Sequence, residues 1–169
     1  MRKGYLYLLE AWQRLGWSDA RLLLRTGPDL LKFKRLEQLM DSLPNVSLVG
    51  YVPNLSDFFF QCDAFILPSV DDGFGMALFE AMAHGVPCIA TSSCGSSELL
   101  QPERDFLLIP PGDSGAIAGA LERLRESPQL RESLSVNGRS AVAELQKDSS
   151  VVYRNGIAEL MRRAFPGKA

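Results

Sequence analysis

Short, nearly continuous apolar runs alternate with helical patterns along this chain, and that alternation leaves few folds open. Arg21-Leu-Leu-Leu-Arg-Thr26, Val46-Ser-Leu-Val49, Ala64-Phe-Ile-Leu67, Pro87-Cys-Ile-Ala-Thr91 and Phe106-Leu-Leu-Ile109 read as strands. Between them, Tyr5, Leu8, Leu9, Trp12 and Leu15 recur at helical spacing and stop at Gly16. Leu30, Phe33, Leu36, Leu39 and Met40 mark a second helix, after a turn at Gly27-Pro28. A short helix runs from Leu55 to Gln61, opened by Asn54 or Ser56, and another from Met76 to Ala83, ended by Gly85. Strands that are apolar on both faces need helices on both sides of a parallel sheet. The expected fold class is therefore α/β. Ligands on such sheets bind beyond the carboxyl ends of the strands. Gly27, Gly50 to Pro53, Ser69 to Gly75 and Ser92 to Glu98 lie there.

Three helices are expected to close the chain, over about residues 113–165. Asp113 or Ser114 caps the first, with Ile117, Leu121 and Leu124 inward. Ser127 with Pro128 at the first helical position opens the second. Ser149 or Ser150 opens the third, with Val152, Ile157, Leu160 and Met161 on one face, and the tail Phe165 to Ala169 frays. A chain of 169 residues fits one domain, residues 1–169, with a sizeable core. The net charge of −2 argues against a nucleic-acid partner, which needs a basic surface. No apolar run reaches the length of a transmembrane segment. The first residues read as a helix broken by Glu10 and not as a signal peptide. Cys62, Cys88 and Cys94 are odd in number and lack metal spacing, so free thiols in a reducing, cytoplasmic setting are expected. No G-x-G-x-x-G opens a helix after a strand, which argues against a nicotinamide dehydrogenase.

The stretch Asp72-Gly-Phe-Gly-Met-Ala-Leu-Phe-Glu80, continuing to Thr91, carries the chemistry. It reads as loop, helix, turn and buried strand, with two carboxylates eight residues apart. Loop glycines let backbone approach a ligand closely. The helix start offers free N–H groups and a positive dipole end to an anion. A carboxylate further along can accept hydrogen bonds from sugar hydroxyls. A nucleotide-sugar diphosphate has those parts in that order.

Asp72 to Thr91 resembles the E-x7-E signature of the retaining GT-B glycosyltransferases of group 1 (family 4), in their C-terminal, donor-binding domain. Asn45 to Pro53 is similar to the family's N-V-x-F-x-G-x-V strand and loop, and Cys62 to Ser69 to the strand before the signature. Gly95-Ser-Ser-Glu98 is similar to its G-G-x-x-E turn, Phe106 to Asp113 to its late strand, and Lys3-Gly4 to the K-G that opens its first helix. Two features depart. The first signature Glu is Asp72, one methylene shorter, and the family's first strand, with Gly-Arg before Lys-Gly, is absent.

The resemblance implies a Rossmann-like half of a GT-B fold that holds a nucleoside diphosphate sugar, needs no metal and lacks the N-terminal acceptor-binding half. Asp72 would serve the donor sugar and Lys3 the diphosphate charge, as the catalytic pair. Gly73, Phe74, Gly75 and Met76 form the loop and helix start, with the N–H groups of Gly75 and Met76 toward the diphosphate. Glu80 meets the ribose, Tyr51, Val52 and Pro53 flank the base, and Glu98 lies near the donor sugar. Plainer readings stand beside these. Glu80 pairs with a nearby Lys or Arg, Asp71 or Asp72 only caps the loop, Lys3 is an exposed terminal residue, and Glu98 is a carboxylate at a helix start. His84 is read as a packed residue at the helix's far end. Two other functions stay open: an epimerase or phosphorylase of the same architecture, and a non-catalytic nucleotide-binding or interaction module. The parent enzyme is expected in the cytoplasm, free or peripheral to a membrane. Without the first strand, the strands at Leu22 to Leu24 and Phe65 to Leu67 are expected to flank an unfilled slot. Either another segment fills it or the two strands close together, and self-association through the slot or the last helix follows.

Overall fold

The computed structural model describes residues 2–26 and 33–164, with side chains described as far as residue 147. The Gly27–Pro28 turn, Leu30 and the tail from Phe165 lie outside the described residues, as do the side chains of Val152, Ile157, Leu160 and Met161.

Helix α1 spans Tyr5–Leu15, strand β1 Leu22–Arg25, α2 Lys34–Asp41, β2 Val46–Val49, α3 Leu55–Phe59, β3 Phe65–Leu67, α4 Met76–Ala83, β4 Cys88–Thr91, β5 Leu107–Ile109, α5 Ser114–Glu126 and α6 Pro128–Ala164. The punctuation of the sequence explains the boundaries. Gly16, at φ 59°, ends α1 in the left-handed region where glycine is at no disadvantage. Of the two candidate caps for α3, Asn54 is the one used, its side chain accepting from the Ser56 N–H at 3.0 Å. For α5 it is Asp113, which accepts from the Ala116 N–H at 2.9 Å. Ser127 accepts from the Leu130 N–H at 3.1 Å, with Pro128 opening α6. Helix α6 corrects one expectation. It continues through Ser149 and Ser150 to Ala164, so the last two expected helices are one. A serine satisfies a helix start only when the backbone before it leaves the helix, and here it does not.

All strand pairs are parallel, in two groups: β1 beside β2, and β3-β4-β5 with β4 central. Every residue of β4 is buried. One core packs α1, α2 and α5 against the sheets through Leu8, Leu9, Leu36, Ile89, Leu107 and Ile117. A second packs α3, α4 and α6 on the other face through Phe59, Leu78, Met82, Phe106 and Val142. Helices thus cover both faces, as the apolar strands require.

The slot expected between β1 and β3 is present among the described residues, and closure of the two strands, one of the two outcomes weighed for it, does not occur. Strand β1 pairs only with β2, and β3 only with β4, among the described residues. The reason is packing. Leu22 and Leu24 of β1 share one core with Ile89 and Leu107 of the other sheet and with α1 and α5, which fixes the spacing of the two groups. Tyr5 of α1 also donates its hydroxyl to the Arg25 carbonyl at the end of β1, at 3.3 Å.

One contact anchors α1. Gly4 precedes it at φ 69°, and a Cβ built there would lie 1.7 Å from the Pro68 carbonyl oxygen. Glycine is therefore required twice, for conformation and for space. Gly16 has the same conformation but open space around it. Gly4→Ala is expected to destabilise the chain by about 3 kcal/mol or more, from left-handed strain plus a backbone overlap. Gly16→Ala should cost only about 1 kcal/mol, the strain alone. Urea denaturation of both variants checks this; equal losses would contradict it.

Candidate functional site

The sequence-predicted residues gather at the carboxyl ends of the strands. Chain geometry brings three segments together there: the start of α1, the loop from β3 to α4, and the turn after β4. The Arg2 carbonyl accepts from the N–H groups of Val70 and Asp71, at 2.8 and 3.3 Å. That places Lys3 beside Asp72, and their side chains pair at 2.7 Å. Ser69, wholly buried, donates its hydroxyl to the same Asp72 oxygen at 3.1 Å. Its own carbonyl accepts from the Thr91 hydroxyl at 2.6 Å, tying the ends of β3 and β4.

The loop is clamped to the turn. The Asp72 N–H donates to the Ser93 carbonyl at 3.2 Å, and Ser96 N–H to the Phe74 carbonyl at 2.8 Å. A Cβ on Gly95 would sit 2.5 Å from the Gly73 carbonyl oxygen, so only glycine lets these backbones meet. Gly75 adopts φ 78° and packs on Leu67, Ser96 and Cys94, so that Met76 begins α4 in the open. Phe74 and Met76 are both exposed, with Phe74 edge-on to Phe79 at 5.4 Å. The first N–H groups of α4 have no intrahelical acceptor, and this end of the helix carries the positive dipole end.

Glu80 lies one turn further along α4, partly buried. No hydrogen bond or ion pair engages its side chain among the described residues, so the plain Lys or Arg pairing is not what the structure has. Its carbonyl accepts from His84 Nδ1 at 2.7 Å, which leaves Nε2 to accept from the Ser56 hydroxyl at 2.9 Å in the neutral ring. His84 also lies against Phe59, at 5.1 Å between centroids. It therefore stands at the C-terminal end of α4, as expected, and joins α4 to α3. Residues four apart share a helix face, so Glu80 stands on the side of α4 that faces α3 and the loop before it. That loop carries Tyr51, 88% exposed, and Val52 and Pro53, which line a hollow of about 320 Å³ with Val49 and Phe58. Glu98 is exposed on the short 3-10 turn Gly95–Leu99. No hydrogen bond or ion pair links its side chain to the Asp72 cluster among the described residues.

Several participants were not singled out from sequence. Ser69 stands three residues before Asp72 at the end of a strand, and that position is the signal that would have found it. Ser96 Oγ is buried beside Gly75 without a hydrogen-bond partner among the described residues. An unsatisfied buried hydroxyl costs about 1–3 kcal/mol. Ser96 lies within the Gly95-Ser-Ser-Glu98 motif, which does not single out its hydroxyl. The thiols of Cys62, Cys88 and Cys94 are free, and burial pushes the Cys88 thiol up.

Burial alone would raise the Asp72 carboxyl. The Lys3 hydrogen bond and charge, the Ser69 hydroxyl and the Arg2 charge outweigh that, so it titrates below its ordinary 3.8. A carboxyl lowered on folding contributes stability above its unfolded value and loses it as pH falls through the folded one. The native chain is therefore expected to exceed Asp72→Asn in stability at neutral pH by up to about 1 kcal/mol, the scale of a half-exposed ion pair. The difference should fade below about pH 4. Urea melts of both at pH 7 and pH 3 measure it, and a pH-independent difference would contradict the pairing.

Comparisons with known proteins bear on the family and the fold. The sequence model described as "Glycosyl transferases group 1" matches residues 1–127. The lipopolysaccharide core biosynthesis glycosyltransferase LpsD of Rhizobium meliloti is 34% identical over 140 residues, which are 81% of this chain and 40% of that protein. N-acetyl-alpha-D-glucosaminyl L-malate synthase of Bacillus anthracis is 30% identical over 153 residues, 89% of this chain and 40% of that one. The chain thus spans about 40% of the length of these curated relatives. A solved C-terminal domain of a group 1 family glycosyl transferase from Francisella tularensis superposes with a TM-score of 0.75 at 25% identity, covering 85% of this chain and 79% of that one. Anabaena HepE, solved in complex with UDP, superposes with a TM-score of 0.81 at 23% identity, covering 95% of this chain and 45% of that one. That second likeness is one of fold. Parallel strands, helices on both faces and these neighbours make the architecture one Rossmann-like half of a GT-B fold. With three quarters of its residues under the family's own sequence model, the chain belongs to the group 1 glycosyl transferases.

Proposed function

We propose that this chain is the donor-binding domain of a retaining glycosyltransferase, which moves a sugar from a nucleoside diphosphate sugar to an acceptor. The observation that carries the reading is the Glu80 carboxylate, without a partner among the described residues, on the first helix after a glycine-clamped loop. A partly buried charge without a protein partner is costly unless something else meets it. The ribose hydroxyls of a nucleotide are suited to that, with the diphosphate at the α4 N-terminus and the base against Tyr51, Val52 and Pro53. In the same reading Glu98 would lie near the donor sugar. The solved neighbour that holds UDP supports the class of ligand.

In this reading the chain's own groups supply positioning and charge. As the glycosidic bond to the diphosphate breaks, negative charge grows on the leaving phosphate oxygens. The free N–H groups of Gly75 and Met76, the helix dipole and the Lys3 ammonium lie fixed where that charge develops. They need no reorganisation as it forms. No resident metal is part of the proposal. The acceptor and any group that touches it belong to a further domain, for which the longer relatives leave room. Transfer then requires both halves, since the substrates must be held together. The residues described include no helix long and apolar enough to cross a membrane. A cytoplasmic setting fits the three free thiols.

Calorimetric titration with uridine, guanosine, adenosine and cytidine diphosphates tests the reading. At least one should bind saturably. Glu80→Gln should weaken that binding by about 1–3 kcal/mol, the range for losing a charged hydrogen bond. His84→Gln, at a ring held by Ser56, the Glu80 carbonyl and Phe59, should weaken it much less. The reverse ranking would end the assignment. Saturable nucleotide binding with no dependence on Glu80 would favour the simple nucleotide-binding module.

A further inference from the structure

Asp72 occupies the place of the signature's first carboxylate, but the structure turns it inward. Its side chain is 10% exposed, while that of Lys3 is 47% exposed. Asp72 is therefore the more buried partner of the pair and Lys3 the more exposed. Both hydrogen bonds recorded for the carboxylate fall on one oxygen, from Lys3 and from Ser69. The backbone cannot carry it outward. Asp72 N–H is bonded to the Ser93 carbonyl, Phe74 carbonyl to the Ser96 N–H, and Gly73 lies against Gly95 too closely for any Cβ. Aspartate also has one methylene fewer than glutamate with which to reach past Lys3. The ammonium has three donors. One is recorded on Asp72, which leaves two for phosphate oxygens.

We propose that Asp72 is a positioning residue that holds the Lys3 ammonium at the mouth of the α4 loop for the diphosphate, and does not itself grip the donor sugar. The inference rests on the donor-binding reading above. It differs from both other uses of such a pair. A sugar-gripping Asp72 would matter only when a sugar is present. An Asp72 that merely sequesters Lys3 would hinder anion binding.

The three cases separate in one set of titrations on the native chain, Asp72→Asn, Lys3→Met and the double variant. The probes are inorganic pyrophosphate, the diphosphates of uridine, guanosine and adenosine, and their glucose conjugates. If Asp72 positions Lys3, D72N and K3M each weaken pyrophosphate binding by about tenfold, as loss of one charge-assisted contact would. Nucleoside diphosphate and its glucose conjugate lose the same factor. In the K3M background, D72N then weakens nothing further. Tighter pyrophosphate binding in D72N, a loss confined to the glucose conjugates, or additive losses in the double variant would each overturn the proposal. If D72N does not fold, Ser69→Ala, which removes one of the two bonds on the carboxylate, takes its place. It should weaken pyrophosphate and nucleoside diphosphate alike, and an unchanged affinity overturns the proposal. Glu80→Gln keeps the two readings apart. Pyrophosphate binding that follows Lys3 and Asp72, with no nucleotide preference and no effect of Glu80, would sink the donor reading and leave the pair's role standing. A native chain that binds neither pyrophosphate nor nucleotide overturns both.

Discussion

The charged pair at the candidate site depends on how closely the backbone at Gly4 approaches the end of β3. With a carbonyl oxygen 1.7 Å from where a Cβ would be, the start of α1 is seated directly on Pro68. The Arg2 carbonyl then completes the seat by accepting from Val70 and Asp71. Lys3, between these two contacts, has little choice of position. Its charge is delivered to the loop before α4 by backbone geometry, not by its own flexible stem. A lysine on a free terminus would lose that order to side-chain entropy.

The second close approach, Gly95 on Gly73, does the same for the loop. Together the two contacts converge a helix start, a loop and a turn from three distant parts of the chain on the carboxyl ends of β3 and β4. Parallel sheets covered on both faces concentrate free N–H groups and helix N-termini at that end. The strands supply no side-chain chemistry of their own here. Their role is burial: β4 is inaccessible along its whole length, and it holds the two loops in register through Thr91 and Ser69. Function is thus carried on loops whose positions are set by a rigid scaffold.

Much of this was legible in the sequence because local chemistry dictated it. Met76–Ala83 and Val46–Val49 lie where the apolar runs and the flanking glycines and asparagine put them. Caps were legible as alternatives and the structure chose among them. The order of strands was legible through the resemblance, which put the gap between β1 and β3 where the structure leaves it; the hydrophobic pattern alone records burial and not which edges pair. The continuity of α6 past Ser149 was not legible, since a cap signal is local and the following helix residues can outweigh it. The Lys3–Asp72 pair spans 69 positions. Each residue alone read as a candidate, but only the fold makes one the support of the other. Ser96 falls within the Gly95-Ser-Ser-Glu98 motif, but nothing in that motif says that its hydroxyl is buried without a partner among the described residues.

The measurement that tests the donor-binding account most directly is a map of amide shifts in the isotopically labelled chain during titration with the nucleoside diphosphates. The account predicts saturable shifts at Lys3, at Tyr51 and Val52, from Gly73 to Met76 and at Glu80, all with one dissociation constant. Shifts centred instead on the opposite end of the sheet, around the hollow that Trp12 and Trp17 line beside Asn45 just before β2, or no shifts with any diphosphate, would contradict it.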